Sequence, residues 1–114
     1  MVKKWSLYWV ILDPVIGSEQ ADRRPVLVIS NDIVNEILPI VTVIPVASVK
    51  DKFKVYPTEV FLPSEKSALP KDSLAMIHQI RTISKERLTD SCGSIDDDML
   101  RNKVNAVLTE YFDL

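Results

Sequence analysis

Few side chains in this sequence have chemistry to offer. Arg24 carries a permanent charge on a planar fork that can hold two phosphoryl oxygens while they gain negative charge. From its neighbours alone, an ion pair with Asp22 or Glu19 is the simpler account of it. His78 is the sole histidine, and an imidazole with an ordinary pKa of roughly 6.5 can take or release a proton near neutral pH. A hydrogen-bonded histidine at a strand end is its plainer reading. Lys50, Lys52 and Lys54 surround Phe53 and precede Tyr56, a mixture that can hold backbone phosphates while rings stack on bases, or form only a solvated loop. The single cysteine, Cys92, excludes an intramolecular disulfide and a zinc site built from cysteines, and nothing beside it marks a reactive thiol.

These residues need elements to position them. Trp5 to Leu12, Val26 to Ser30, Ile40 to Ala47, Thr58 to Leu62, Ser73 to Ile77 and Ile80 to Ile83 are short runs rich in Val, Ile and aromatics, and each reads as a strand. Pro, Gly, Asn and Asp punctuate the gaps, so the pattern predicts a sheet rolled into a small barrel. Pro45 lies inside the third run and cannot donate a ladder hydrogen bond, which predicts an edge, a bulge or an opening there. Asn31 to Leu38 can form about one helical turn before Pro39. Ser94 reads as the cap of a helix with Asp96, Asp97 and Asp98 at its positive end. Leu100, Val104, Val107, Leu108 and Tyr111 then form one apolar stripe.

At 114 residues and 46% hydrophobic content, with no linker-like interruption, the chain is expected to be one domain. A chain this short buries only about two thirds of the surface its unfolded form exposes, so self-association is an effective way to gain core. Lys3 and Lys4 precede an apolar stretch, but it is short, contains Ser6 and Tyr8, and runs into Asp13-Pro14. A secretory leader is therefore not expected, no run reaches a membrane span, and the expected location is cytoplasmic. The net charge of −2 argues against a protein that wraps duplex DNA. Residues 1–90 nevertheless carry net +1 and residues 91–114 net −3, which leaves room for a cationic groove backed by an acidic helix.

The run Asp13-Pro14-Val15-Ile16-Gly17-Ser18-Glu19-Gln20, followed by Arg24-Pro25-Val26-Leu27-Val28-Ile29-Ser30-Asn31, closely resembles the signature near the start of MazF/PemK toxins. Ile44-Pro45-Val46, Tyr56-Pro57-Thr58, Lys71-Asp72-Ser73 and Gln79-Ile80-Arg81-Thr82-Ile83 follow in that family's order. The resemblance covers nearly the whole chain. It implies a mainly β fold: an SH3-like, partly open barrel of about six to seven antiparallel strands with a C-terminal helix. It further implies a toxin of a type II toxin-antitoxin system, a homodimer whose groove takes single-stranded RNA, and a MazE-like antitoxin that occupies the same groove. The implied reaction is RNA cleavage with no metal or cofactor, giving a 2′,3′-cyclic phosphate and a 5′-hydroxyl.

Such cleavage turns the ribose 2′-hydroxyl on the adjacent phosphate, so it needs a proton acceptor, a positive group for the phosphoryl oxygens and a donor for the leaving oxygen. Arg24 matches the family's catalytic arginine. Gly17, Ser18, Glu19 and Gln20 would form the lip of the groove, and Asn31, Lys50, Lys52, Gln79 and Arg81 complete the expected RNA-binding set, with Arg81 also suited to the subunit interface. Two positions depart from the family's pattern. Ala47 stands where a catalytic threonine is usual, and Ser48 can replace that hydroxyl only if Pro45 induces a bulge, since successive strand side chains point to opposite faces. His78 stands where relatives often carry an acidic residue, so Arg24, His78 and Ser48 form the expected catalytic set. The loss at Ala47 also suits a silent relative that acts only by binding an antitoxin or a target such as gyrase. An ordinary RNA-binding barrel is a third reading, short of aromatic and basic material.

Overall fold

The computed structural model describes residues 1–11, 23–50 and 53–114. Gly17, Ser18, Glu19, Gln20 and Lys52 lie outside the described residues. Seven strands appear in chain order: β1 (Ser6–Ile11), β2 (Arg23–Val28), β3 (Ile40–Ser48), β4 (Glu59–Leu62), β5 (Ser73–Met76), β6 (Arg81–Ser84) and β7 (Leu88–Ser94). Three α-helical segments accompany them: α1 (Asp32–Ile37), α2 (Ser64–Ser67) and α3 (Asp98–Tyr111). All pairings are antiparallel.

β3 is the longest strand at nine residues, and it serves two ladders along one edge. Its first half pairs with β6 over Ile40↔Ser84 to Val43↔Arg81, and its last three residues pair with β5 over Val46↔Ala75 to Ser48↔Ser73. Its other edge pairs with β2, which pairs with β1, which pairs with β7. Pro45 falls in the gap between the β6 and β5 ladders, where a missing N–H interrupts neither. Of the alternatives an edge, a bulge or an opening, no bulge forms: residues 46 to 48 pair in unbroken register, so Pro45 marks a change of partner.

Alternation along the strands feeds two cores. Leu7, Leu27, Ile44, Val46, Val60, Leu62 and Ile77 point inward, where Leu100 and Val104 of α3 close the barrel. Val10, Val26, Val28, Val41, Val43 and Ile83 form a second cluster on the opposite side of the same strands. α3 begins at Asp98, three residues later than expected. Asp97, not Ser94, is its cap and accepts the Leu100 N–H at 2.9 Å. Ser94 ends β7, a polar strand that the sequence pattern missed because it borders only β1 and buries little. The Lys66 ammonium, 2.9 Å from Asp97, holds that carboxyl below its ordinary value. That contribution to α3 is present above the ordinary carboxylate pKa and disappears as pH falls through the lowered one. Burial pushes the Cys92 thiol up, in keeping with an unreactive packing role.

Gly93 of β7 permits the closest approach in the barrel. Its φ is +156°, and a Cβ built there would meet the Ser67 carbonyl oxygen at 2.1 Å. No side-chain rotation relieves a clash with backbone. Gly93→Ala is therefore expected to lower unfolding stability by at least about 1–3 kcal/mol, in the range of overpacked cores. Denaturant melts of the two proteins check this, and equal midpoints would contradict the close approach.

Candidate functional site

Where β2 begins and β3 ends, the two strands frame a hollow of about 430 Å³. Val26 faces Pro45, and continuing that ladder sets Arg24 opposite Ala47. Trp9 of β1 faces Pro25, which brings its ring to the same end. The far wall is the segment Leu69-Pro70-Lys71 that leads into β5, fixed there by the Ser48↔Ser73 pairing. Arg24, Ala47 and Ser48 thus share one cavity with Trp9, Arg23 and Lys71.

The cavity is cationic and partly aromatic. The Arg23 guanidinium carbon lies 5.4 Å from the centre of the Trp9 ring, and one of its nitrogens lies 3.4 Å from Asp90. That cation–π contact holds a flat, half-buried indole in the cavity that Arg24 also lines. The arrangement suits a planar base next to a phosphate. Both Ala47 and Ser48 line the hollow although the strand there is regular. Ser48 is the last residue of β3 and is exposed, so it lines the hollow without a bulge.

Three expected residues stand elsewhere. β5 runs antiparallel to β3, so its Ser73 end touches the hollow and its Met76 end leads away. His78 follows in a short 3-10 turn (Ile77–Gln79), five residues beyond Ser73, or about 15 Å along an extended chain. Its Nδ1 lies 2.9 Å from Thr58 Oγ1, and it does not line the cavity. Gln79 lies beside it, its amide 3.6 Å from the Met76 sulfur, and Arg81 opens β6 opposite Val43. Within one protomer none of the three meets Arg24. Asn31 is also displaced from the expected set: its side chain caps α1, accepting the Ile33 N–H at 2.8 Å, at the end of β2 away from the hollow. The sequence explains that role well, since Asn is a preferred cap residue.

A second, shallower hollow of about 450 Å³ adjoins the first and is lined by Lys50, Phe53 and Asp72 together with Pro70 and Lys71. Lys50 thus lines the second hollow and not the first. Trp9, Arg23 and Lys71 are groove residues that the sequence left without a role. Trp9 was hidden in an apolar strand pattern, and Lys71 in a quoted motif whose function was not read. Among the described residues, no three His, Cys, Asp or Glu side chains gather closely enough to hold a metal ion. No helix among them is long and apolar enough to cross a membrane.

Residues 3–112 match the family model described as the PemK-like, MazF-like toxin of type II toxin-antitoxin systems. "Endoribonuclease EndoA" of Bacillus subtilis (strain 168) is 42% identical over 108 residues, covering 95% of this chain and 91% of that protein. "Endoribonuclease MazF" of Staphylococcus saprophyticus is 36% identical over 107 residues, covering 94% and 88%. In fold, the MazE-MazF crystal structure (Form-II) from Deinococcus radiodurans superposes with a TM-score of 0.79 at 23% identity, covering 99% of this chain and 96% of that one.

Proposed function

This chain belongs to the PemK-like, MazF-like toxins of type II toxin-antitoxin systems, and we propose that its endoribonuclease site is the hollow around Arg24, where single-stranded RNA is cut by its own 2′-hydroxyl. The protein is a toxin endoribonuclease by family and by relatives such as the two described above. The proposal concerns the residues, the end chemistry and the assembly. One observation carries it: Arg24, Ser48 and an indole line a single cavity of nucleotide size at the meeting of β2 and β3.

In this reading the Arg24 fork neutralises the phosphoryl oxygens as the ribose oxygen closes on phosphorus, and the Ser48 hydroxyl bonds to the ribose side of that step. The P–O5′ bond breaks as the O2′–P bond forms, the 2′-hydroxyl gives its proton to water in the open hollow and the departing O5′ takes one from water, which leaves a 2′,3′-cyclic phosphate and a 5′-hydroxyl. DNA lacks the attacking group and is spared. His78 takes no part within one protomer because it stands at the far end of β5. An antitoxin segment that fills the hollow would block RNA directly, and the protein would act in the cytoplasm.

We also assign the homodimer to the face around α1. Ile33 and Ile37 are about 70% exposed, and Val34, Leu38 and Ile40 add to one apolar surface beside the outer edge of β6. Patches of this kind on small soluble proteins mark association sites.

Mixed-sequence RNA incubated with the protein in EDTA should yield fragments with 5′-hydroxyl ends, and Arg24→Ala should lower the rate by about 100-fold or more. Fragments that persist at the wild-type rate in that variant would remove Arg24 from the reaction. Ala47 also favours a second reading, a silent toxin that acts by binding alone, and one substitution separates the two. Ala47→Thr should raise the cleavage rate by about tenfold if a missing hydroxyl limits it; a wild-type protein without activity that the variant leaves inactive would support the silent reading. By sedimentation the wild type should be a dimer, and Ile37→Asp should shift it towards monomer. A dimer unmoved by that change would place the interface on another face.

A further inference from the structure

We propose that Lys71 is a positioning residue for the RNA, holding a phosphate next to the scissile one, so that the two adjoining hollows form a single track for consecutive nucleotides. The inference rests on the endoribonuclease reading above and adds to it a residue and a path for the strand.

Lys71, with Pro70, belongs to the wall of both hollows. On one side of it lie Trp9, Arg24 and Ser48, and on the other Lys50 and Phe53. Its side chain is exposed, but its backbone is held from three directions. Its carbonyl accepts the Ser73 hydroxyl at 2.9 Å, and Ser73 is itself buried. The neighbouring Asp72 carboxylate accepts the Ser64 N–H at 2.8 Å, and the Asp72 carbonyl accepts the Val49 N–H at 3.0 Å. Pro70 restricts the chain just before. A cation on so fixed a backbone gives up little freedom when it binds a phosphate.

The surroundings favour a polyanion that continues past the first hollow. The described residues lining the pair bring four cations, Arg23, Arg24, Lys50 and Lys71, of which Arg23 also lies 3.4 Å from Asp90, against one carboxylate, Asp72, already engaged with the Ser64 N–H. The second hollow also has an aromatic wall. Phe53 stacks on Phe61 at 5.4 Å with 13° between the planes, which holds its ring steady while leaving it nearly half exposed. A base leaving the Trp9 side would meet a second ring on the Phe53 side, with the intervening phosphate at Lys71.

The test uses an RNA oligonucleotide spanning a mapped cleavage site, with the phosphates flanking the scissile one replaced in turn by neutral methylphosphonate. In the wild type, one of these replacements should raise KM by about tenfold and leave kcat nearly unchanged, the size expected for one charged contact. In Lys71→Gln the unmodified RNA should show the same rise, and that replacement should cost nothing further. The salt dependence of log KM should flatten by about 0.7 in that variant, and Lys71→Arg should restore it. If the wild type does not cut the parent oligonucleotide, the endoribonuclease reading fails. If it cuts but Lys71→Gln matches the wild type, or loses equally on every modified oligonucleotide, the assignment of Lys71 fails alone.

Discussion

The molecule is organised by the double pairing of β3. One edge of this strand gives its first half to β6 and its last three residues to β5, with Pro45 in the gap, while its other edge runs along β2. An uninterrupted pairing along that edge would make a flat sheet with no reason to close. The change of partner turns the chain from one ladder into the other, and the side chains between them become the core that α3 covers. The same turn leaves the end of β3 beside the start of β2, and the hollow opens there. The cavity is thus a consequence of how the barrel closes.

That origin explains why the candidate residues of the hollow sit on constrained backbone. Arg24, Ala47 and Ser48 sit on strands whose registers are set by buried neighbours: Val26 and Val46 are fully buried beside them. A slip of one residue would move those side chains into the solvent, so the register is held by a large hydrophobic penalty. Lys71 is not on a strand, yet three hydrogen bonds around residues 71 to 73 give its backbone comparable constraint. Side chains meant to meet charge as it develops are most effective when nothing needs to reorganise around them.

Much of this could be read from the sequence, and the exceptions have physical causes. Strands with strong apolar alternation or runs were legible because their burial is written into residue type, and the Arg24 motif was legible by resemblance. β7 was missed because Leu88-Thr89-Asp90-Ser91-Cys92-Gly93-Ser94 gains its place from pairing with β1 and the close approach at Gly93, neither of which leaves an apolar pattern. The helix start was set too early because Ser94 and Asp97 are both good cap residues, and only the strand pairing of Ser94 decides between them. His78 was placed with Arg24 on the strength of its neighbours in sequence. The antiparallel direction of β5, a long-range fact, carries it to the opposite end.

Local arrangement also reconciles a net charge of −2 with an RNA substrate. At physiological salt the field of an exposed charge fades over about 8 Å, so a strand of RNA responds to the groups lining its path and little to the total. The acidic excess of the last residues is partly spent at home: Asp97 caps α3 and pairs with Lys66, and Asp96 lies 3.4 Å from Arg101. Those carboxylates do not line either hollow. A cationic track of a few residues on an otherwise acidic protein binds a short, defined length of single strand and repels what does not fit it. For a nuclease, this is more useful than a uniformly basic surface, which would hold RNA everywhere and present it nowhere.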